Sequence, residues 1–340
     1  MSLSQHRAQP HRPAVGEPLL SVRDLRVTFQ RRDERAFRAV DGVSFDVRAG
    51  QTVGLVGESG CGKSVTSLAI MGLLPSRGNT VEGQALFDGE DLLSLSTSQM
   101  RDRRGADVAM IFQDPLSSLN PVVTIGRQVT EVMERHQGLS RKEAMPKAAE
   151  LLERVGIPDP RARLANYPHQ LSGGMRQRAL IAMALACNPR LLIADEPTTA
   201  LDVTIQAQIL ALLKELVVDT GTALVMITHD LGVVAGLCDE VNVLYAGKIV
   251  ERGSRHGLFR QPRHPYTVGL LDSIPRLDAP RGEKLNPVPG SVADNLPWDS
   301  ACAFAPRCSH RVDVCTRETP RWDGDDVVGF RCFNPVGGPR

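Results

Sequence analysis

Residues 57 to 64 read Gly57-Glu58-Ser59-Gly60-Cys61-Gly62-Lys63-Ser64, a Gly-x4-Gly-Lys-Ser run. It follows the apolar segment Thr52–Val56 and precedes a helical pattern over 65–74, so its setting is a strand, a tight turn and a helix start. Glycines let the backbone curl until its N–H groups face inward, and the helix N-terminus adds partial positive charge; such a turn cradles phosphate oxygens. On this reading Lys63 meets the β and γ phosphates of a nucleotide, and Ser64 offers its hydroxyl to Mg²⁺.

A companion lies at Leu191-Leu192-Ile193-Ala194-Asp195-Glu196, an apolar strand that ends in two carboxylates. Asp195 is placed to hold Mg²⁺ through water, and Glu196 to serve as the general base that orients a water for in-line attack. Alone, two acids at a strand end are equally a solvated turn; the phosphate loop gives the pair its chemical meaning.

The rest of the chain is consistent with an α/β fold. Residues 19–29 and 43–47 alternate apolar and polar side chains, as a small N-terminal antiparallel sheet would. Short apolar strands at Thr52–Val56, 108–112, 191–194 and 223–227 alternate with helical patterns, which predicts a mainly parallel sheet with crossover helices. Ile205, Ile209, Leu212, Leu213 and Leu216 form one helical stripe. An insertion over about 115–180, helical across 131–155, is expected to be a subdomain.

Composition sets limits. A length of 340 residues suggests roughly two domains. The net charge is +1 with no basic half, so nothing asks for nucleic acid. No run approaches the ~20 apolar residues of a membrane-spanning helix, and the polar start lacks a secretory signal's apolar core. Residues 1–16 are expected to be a disordered tail of a cytoplasmic protein, 17–264 the nucleotide-binding unit, and 265–340 an extension.

That extension is rich in proline, with Pro265, Pro275, Pro280, Pro287, Pro289 and Pro297, and needs a staple to be ordered. Four of the chain's seven cysteines, Cys302, Cys308, Cys315 and Cys332, fall in its last 39 residues. Four thiolates there point to a metal site, although the spacing is not the paired Cys-x2-Cys of zinc ribbons. Sulfur ligands suit zinc or an iron–sulfur cluster. Cys61, Cys187 and Cys238 are expected to be structural, and Trp298 and Trp322 to be packing residues.

Leu171-Ser172-Gly173-Gly174-Met175-Arg176-Gln177-Arg178 resembles the signature loop of the ATP-binding-cassette family, with Met175 where that family usually has Gln. A Gly pair before the helical run 175–186 is a second anion site. One nucleotide cannot fill both sites in one subunit. The resemblance implies two cassettes packed head to tail, each ATP lying between the phosphate loop of one and Ser172, Gly173, Gly174 and Met175 of the other.

By position, Gln113 resembles the family glutamine that touches Mg²⁺ and the attacking water. Asp202, in Thr199-Ala200-Leu201-Asp202, is similar to the loop that crosses the dimer, and His229, in Ile227-Thr228-His229-Asp230, to the switch histidine at the γ phosphate. Nucleotide contacts are implied for Gly57, Glu58, Ser59, Gly60, Cys61, Gly62, Lys63, Ser64 and Val65. Phe29 is the expected adenine platform, with Phe37 as its competitor.

The resemblance narrows to the oligopeptide and dipeptide importer branch through Gln113-Asp114-Pro115-Leu116-Ser117-Ser118-Leu119-Asn120-Pro121, Tyr167-Pro168-His169-Gln170, and Gln261-Pro262-Arg263-His264-Pro265-Tyr266-Thr267. The branch implies a second, similar ATPase subunit, two membrane-spanning permease subunits and an extracytoplasmic solute-binding protein, with this subunit peripheral on the cytoplasmic face. Related importers carry nickel or glutathione. A soluble, non-transport cassette ATPase is the competing class. Cys302-Ala303-Phe304-Ala305-Pro306-Arg307-Cys308 is similar to the tail of peptide-importer ATPases, which implies a [4Fe–4S] cluster, with zinc as the alternative.

Overall fold

The computed structural model describes residues 17–30, 36–199, 201–274, 288–292 and 301–337. The expected tail over 1–16 lies outside these residues, as do Ala200, Pro275, Pro280, Pro287, Pro297 and Trp298. The strands are β1 (Leu20–Phe29), β2 (Phe37–Val47), β3 (Thr52–Val56), β4 (Asn79–Phe87), β5 (Glu90–Asp91), β6 (Val108–Ile111), β7 (Leu191–Asp195), β8 (Ala223–Thr228), β9 (Glu240–Tyr245), β10 (Lys248–Ser254), β11 (Asp323–Gly324) and β12 (Gly329–Phe330). The helices used below are α1 (Lys63–Ile70), α2 (Ile125–Gln137), α3 (Arg141–Arg154), α4 (Gly173–Leu185), α5 (Val203–Thr220) and α6 (Pro265–Asp272).

Two sheets form. The smaller runs β2-β1-β4-β5 and is antiparallel; the larger runs β11-β12-β10-β9-β3-β8-β7-β6. In the larger sheet β9, β3, β8, β7 and β6 are parallel, while β10, β12 and β11 add antiparallel at one edge. This is the mixed α/β architecture the patterning predicts, with β4, β5 and β9 to β12 in addition.

The central strands are apolar throughout because both faces are covered. Leu191, Ile193, Val225 and Ile227 face the small sheet and α1, in one core with Leu20, Val43, Phe45 and Ile70. Their neighbours Leu192, Ala194, Leu224 and Met226 face the opposite core, shared with the helices. In the insertion, α2 buries Ile125, Val129 and Met133 at four-residue spacing, and α3 buries Ala144, Ala148 and Leu152. Ser140 and Glu143 close a reciprocal capping box at the start of α3. In α5 the predicted stripe is buried at Ile209, Leu212, Leu213 and Leu216, and Ile205 is only partly buried.

Protein contacts alone already hold much of the extension in which a metal staple is expected. Phe304, 4% exposed, packs its ring 5.2 Å from Tyr245, 5.4 Å from Tyr266 and 5.7 Å from His264. β12 pairs with β10, and Arg331 N donates to Val250 O. Aromatic burial and strand addition order the extension. Among the described residues no three His, Cys, Asp or Glu side chains stand close enough to share a metal ion.

Candidate nucleotide site

β3 delivers the phosphate loop from the middle of the parallel sheet, at the carboxyl edge where such sheets bind ligands. Gly62 enters α1 at φ +101°, and a Cβ there would lie 2.5 Å from Ala39 O. At Gly57 a Cβ would lie 2.2 Å from Leu244 O. Only glycine fits either position. Lys63 is buried and arches back over the loop, donating from Nζ to Gly57 O at 2.6 Å and to Glu58 O at 2.9 Å. Cys61 Sγ is 3.8 Å from that amine, and burial pushes its thiol up.

Ser64, on the first turn of α1, donates its hydroxyl to Asp195 Oδ1 at 3.0 Å, joining the phosphate loop to the end of β7. This pair of hard oxygen donors fits Mg²⁺, which keeps several waters and takes few protein ligands. Glu196 follows at φ +46°, a left-handed turn that costs a non-glycine residue about 1–3 kcal/mol. Its N–H donates to Ile227 O at 2.9 Å, and its C=O accepts from Thr199 N at 3.1 Å.

That turn aims the carboxylate into a ring of polar groups. Oε2 accepts from Gln113 Nε2 and from Thr199 Oγ1, each at 2.9 Å, and Oε1 lies 3.2 Å from His229 Nδ1. The two acids titrate apart. Burial pushes Asp195 up, Ser64's donation pulls it down and the neighbouring Glu196 pushes it up again, for a net rise. Burial pushes Glu196 up too, but donation from Thr199 and His229 outweighs it, so Glu196 is held below the usual carboxylate range.

The predicted residues therefore fall into two groups. Lys63, Ser64, Gln113, Asp195, Glu196 and His229 converge on the phosphate loop. Ser172, Gly173, Gly174, Met175 and Asp202 form the second group at the starts of α4 and α5. Ser172 Oγ caps α4 by accepting from Met175 N at 3.3 Å, and Asp202 Oδ1 caps α5 by accepting from Ile205 N at 3.0 Å. A Cβ on Gly174 would lie 2.9 Å from Ile205 Cγ2, so the glycine lets the helices meet. Ser172, Gly173 and Asp202 are exposed. Phe29 ends β1 directly opposite Phe37 on β2, partly buried against the inter-sheet core.

Three contacts escape sequence reasoning. Thr199 stands in a motif the sequence displays but carries no marker of its hydrogen bond to Glu196. Tyr266 and Arg307 come from the far end of the chain. Tyr266 Oη accepts from Glu58 N at 2.9 Å, and Arg307 forms a bidentate pair with the Glu58 carboxylate at 2.6 and 2.8 Å. Glu58 in turn holds the Arg307 guanidinium above its ordinary range.

The four extension cysteines are partly to fully buried. Cys302 N donates to Cys315 O at 3.0 Å, and burial first, then Cys302, Cys308 and Cys315, push Cys332 up to about 11. The four lie near one another, but among the described residues no three of them form a group that could hold a metal ion. A zinc with ~2.3 Å bonds draws its sulfurs tightly together, whereas a cluster interposes its own iron and sulfide.

The sequence profile described as ABC transporter matches residues 40–199, and that described as Oligopeptide/dipeptide transporter, C-terminal region, matches residues 250–315. The chain is 48% identical over 336 residues to the oligopeptide transport ATP-binding protein OppD of Salmonella typhimurium, covering 99% of each. It is 54% identical over 305 residues to the dipeptide transport ATP-binding protein DppD of Bacillus subtilis, covering 89% of this chain and 90% of that one. A solved dimeric ATP-binding cassette in a post-hydrolysis state, bound to ADP and Pi, superposes with a TM-score of 0.62 at 28% identity, over 69% of this chain and 98% of its own. The chain belongs to the ABC transporter ATPases, the ATP-hydrolysing subunits of that family, in the oligopeptide/dipeptide importer branch.

Proposed function

We propose that this chain hydrolyses ATP to drive import of dipeptides and oligopeptides through a membrane transporter, acting at the cytoplasmic face with two permease subunits, a second, homologous ATPase and an extracytoplasmic solute-binding protein. The observation that carries the chemistry is the Glu196 carboxylate, held ionised by Thr199 and His229 and adjoining the Ser64–Asp195 pair. The importer reading rests on near full-length identity to proteins named for peptide transport. Among the described residues no helix is long and apolar enough to cross a membrane.

In this mechanism Ser64, Asp195 and Gln113 would hold Mg²⁺, which when bound would supply positive charge to the phosphates. Lys63 exchanges its carbonyl partners for phosphate oxygens. Glu196 takes the proton of the attacking water while Gln113 and His229 fix its orientation. Ser172, Gly173, Gly174, Met175 and Asp202 complete the site of a second cassette, so turnover requires a dimer. Phe29 supplies the adenine platform.

We further propose that Cys302, Cys308, Cys315 and Cys332 ligate a [4Fe–4S] cluster, which adds a cross-link to an already packed extension. The proximity of the four cysteines supports it. Anaerobic purification with iron, sulfide and zinc analysis tests it: about four irons and four sulfides per chain are expected, while one zinc or no metal overturns it. The import reading is tested by ATP-dependent uptake of labelled dipeptide into vesicles bearing the transporter. Uptake is expected to stop with Glu196→Gln; uptake of nickel or glutathione in place of any peptide would reassign the solute.

A further inference from the structure

We infer that Arg307 is a positioning residue for the phosphate loop, acting through Glu58, and that the C-terminal extension thereby sets the affinity for ATP. The inference rests on the assignment of this loop to ATP phosphates. Glu58 is tied at every polar group it has. Its N–H donates to Tyr266 Oη, its C=O accepts from Lys63 Nζ, and its carboxylate takes both arms of the Arg307 fork.

The guanidinium is itself fixed. Its side chain is 3% exposed, and it donates to Pro289 O at 2.6 Å and Gly290 O at 3.0 Å. It also lies 5.7 Å from the centre of the Tyr245 ring. Planar donors saturated by main-chain acceptors cannot follow a moving loop, so the extension holds Glu58 rather than drifting with it.

The loop needs such a brace. Ser59 and Gly60 at its tip are exposed, and Gly60 sits at φ +82° with open space where a Cβ would be, so that stretch has no packing of its own. Its N–H groups are useful only if already aimed at phosphate, and disorder there is removed at the expense of binding. Removing Arg307 alone also leaves the Glu58 carboxylate unpaired beside an anion site, where it repels phosphate.

A role confined to anchoring the extension predicts altered stability with unchanged nucleotide affinity; positioning predicts altered affinity. The test is equilibrium titration of the full-length chain with ATP and Mg²⁺, using Arg307→Gln, Glu58→Gln and the double variant. Each single change is expected to weaken binding by roughly five- to tenfold, and the double variant no more than the weaker-binding single, because both break one contact. For Arg307→Gln in the transporter, KM is expected to rise while kcat stays within about twofold. Glu58 lies partly exposed on the loop, so Glu58→Gln keeps the test available where Arg307→Gln fails to fold. Unchanged affinity in both singles, or losses that simply multiply in the double variant, overturns the inference. Wild-type chain that binds no ATP would instead remove the nucleotide assignment beneath it.

Discussion

Oε1 of Glu196 lies 3.2 Å from Nδ1 of His229, two side chains that leave the ends of adjacent parallel strands. The register that sets Asp195 opposite Ile227 brings both to one edge of the sheet. Glu196 reaches it through its left-handed turn, and His229 follows the last residue of β8.

Replacing Glu196 with Gln keeps a side chain of the same shape that no longer accepts a proton. Phosphate release is expected to fall by about 10²- to 10⁴-fold, with ATP binding by equilibrium titration retained. Unchanged hydrolysis would overturn the assignment of the base.

Thr199→Val removes a hydrogen bond that stabilises the ionised Glu196. The active form is the carboxylate, so activity is lost as pH falls through its pKa, and removing a lowering interaction raises that pKa. The acid limb of kcat is expected to shift to higher pH while the plateau above it persists. A limb that stays in place in this variant would show that another group governs it.

His264 is buried and neutral, its Nδ1 accepting from Tyr266 N, and burial lowers its pKa to about 3. The unfolded chain takes up a proton near the ordinary pKa of about 6.5, whereas the folded chain does not until about 3. Stability therefore falls with decreasing pH across that window, by about 1.4 kcal/mol per pH unit from this group. His264→Asn retains a capping acceptor and is expected to flatten this part of the stability curve in urea melts, despite some loss of packing.

Gly62→Ala would place a methyl group 2.5 Å from Ala39 O at a positive φ. ATP binding is expected to be lost while far-ultraviolet circular dichroism is retained, because the damage is confined to the turn before α1.

The sequence was most legible where one physical demand dominates. Thr52–Val56 and the strand after Arg190 read as buried strands because both faces meet apolar cores. β9 and β10 did not, since Glu240, Asn242, Glu251 and Arg252 interrupt their apolar runs. These polar groups are buried with partners, Arg252 Nε donating to Asn242 and Glu251 accepting from the backbone N–H groups of Arg263 and His264. β4 is hidden by exposed positions and by Gly83. In the site, loop motifs identify Lys63, Ser64, Asp195 and Glu196 by local spacing. The Glu58–Arg307 pair spans 249 residues, and no local pattern records it.

The same separation bears on the order in which the protein is made. Synthesis runs from the N-terminus, so the phosphate loop leaves the ribosome long before Tyr266 and Arg307 exist to brace it. The parallel strands β3 and β6 to β9 and helices α1 to α5 are all made before the extension, with a cradle that grips nucleotide loosely, and tight binding arrives with the final stretch of chain. Tight ATP binding thus marks a subunit whose C-terminal extension has been made and docked.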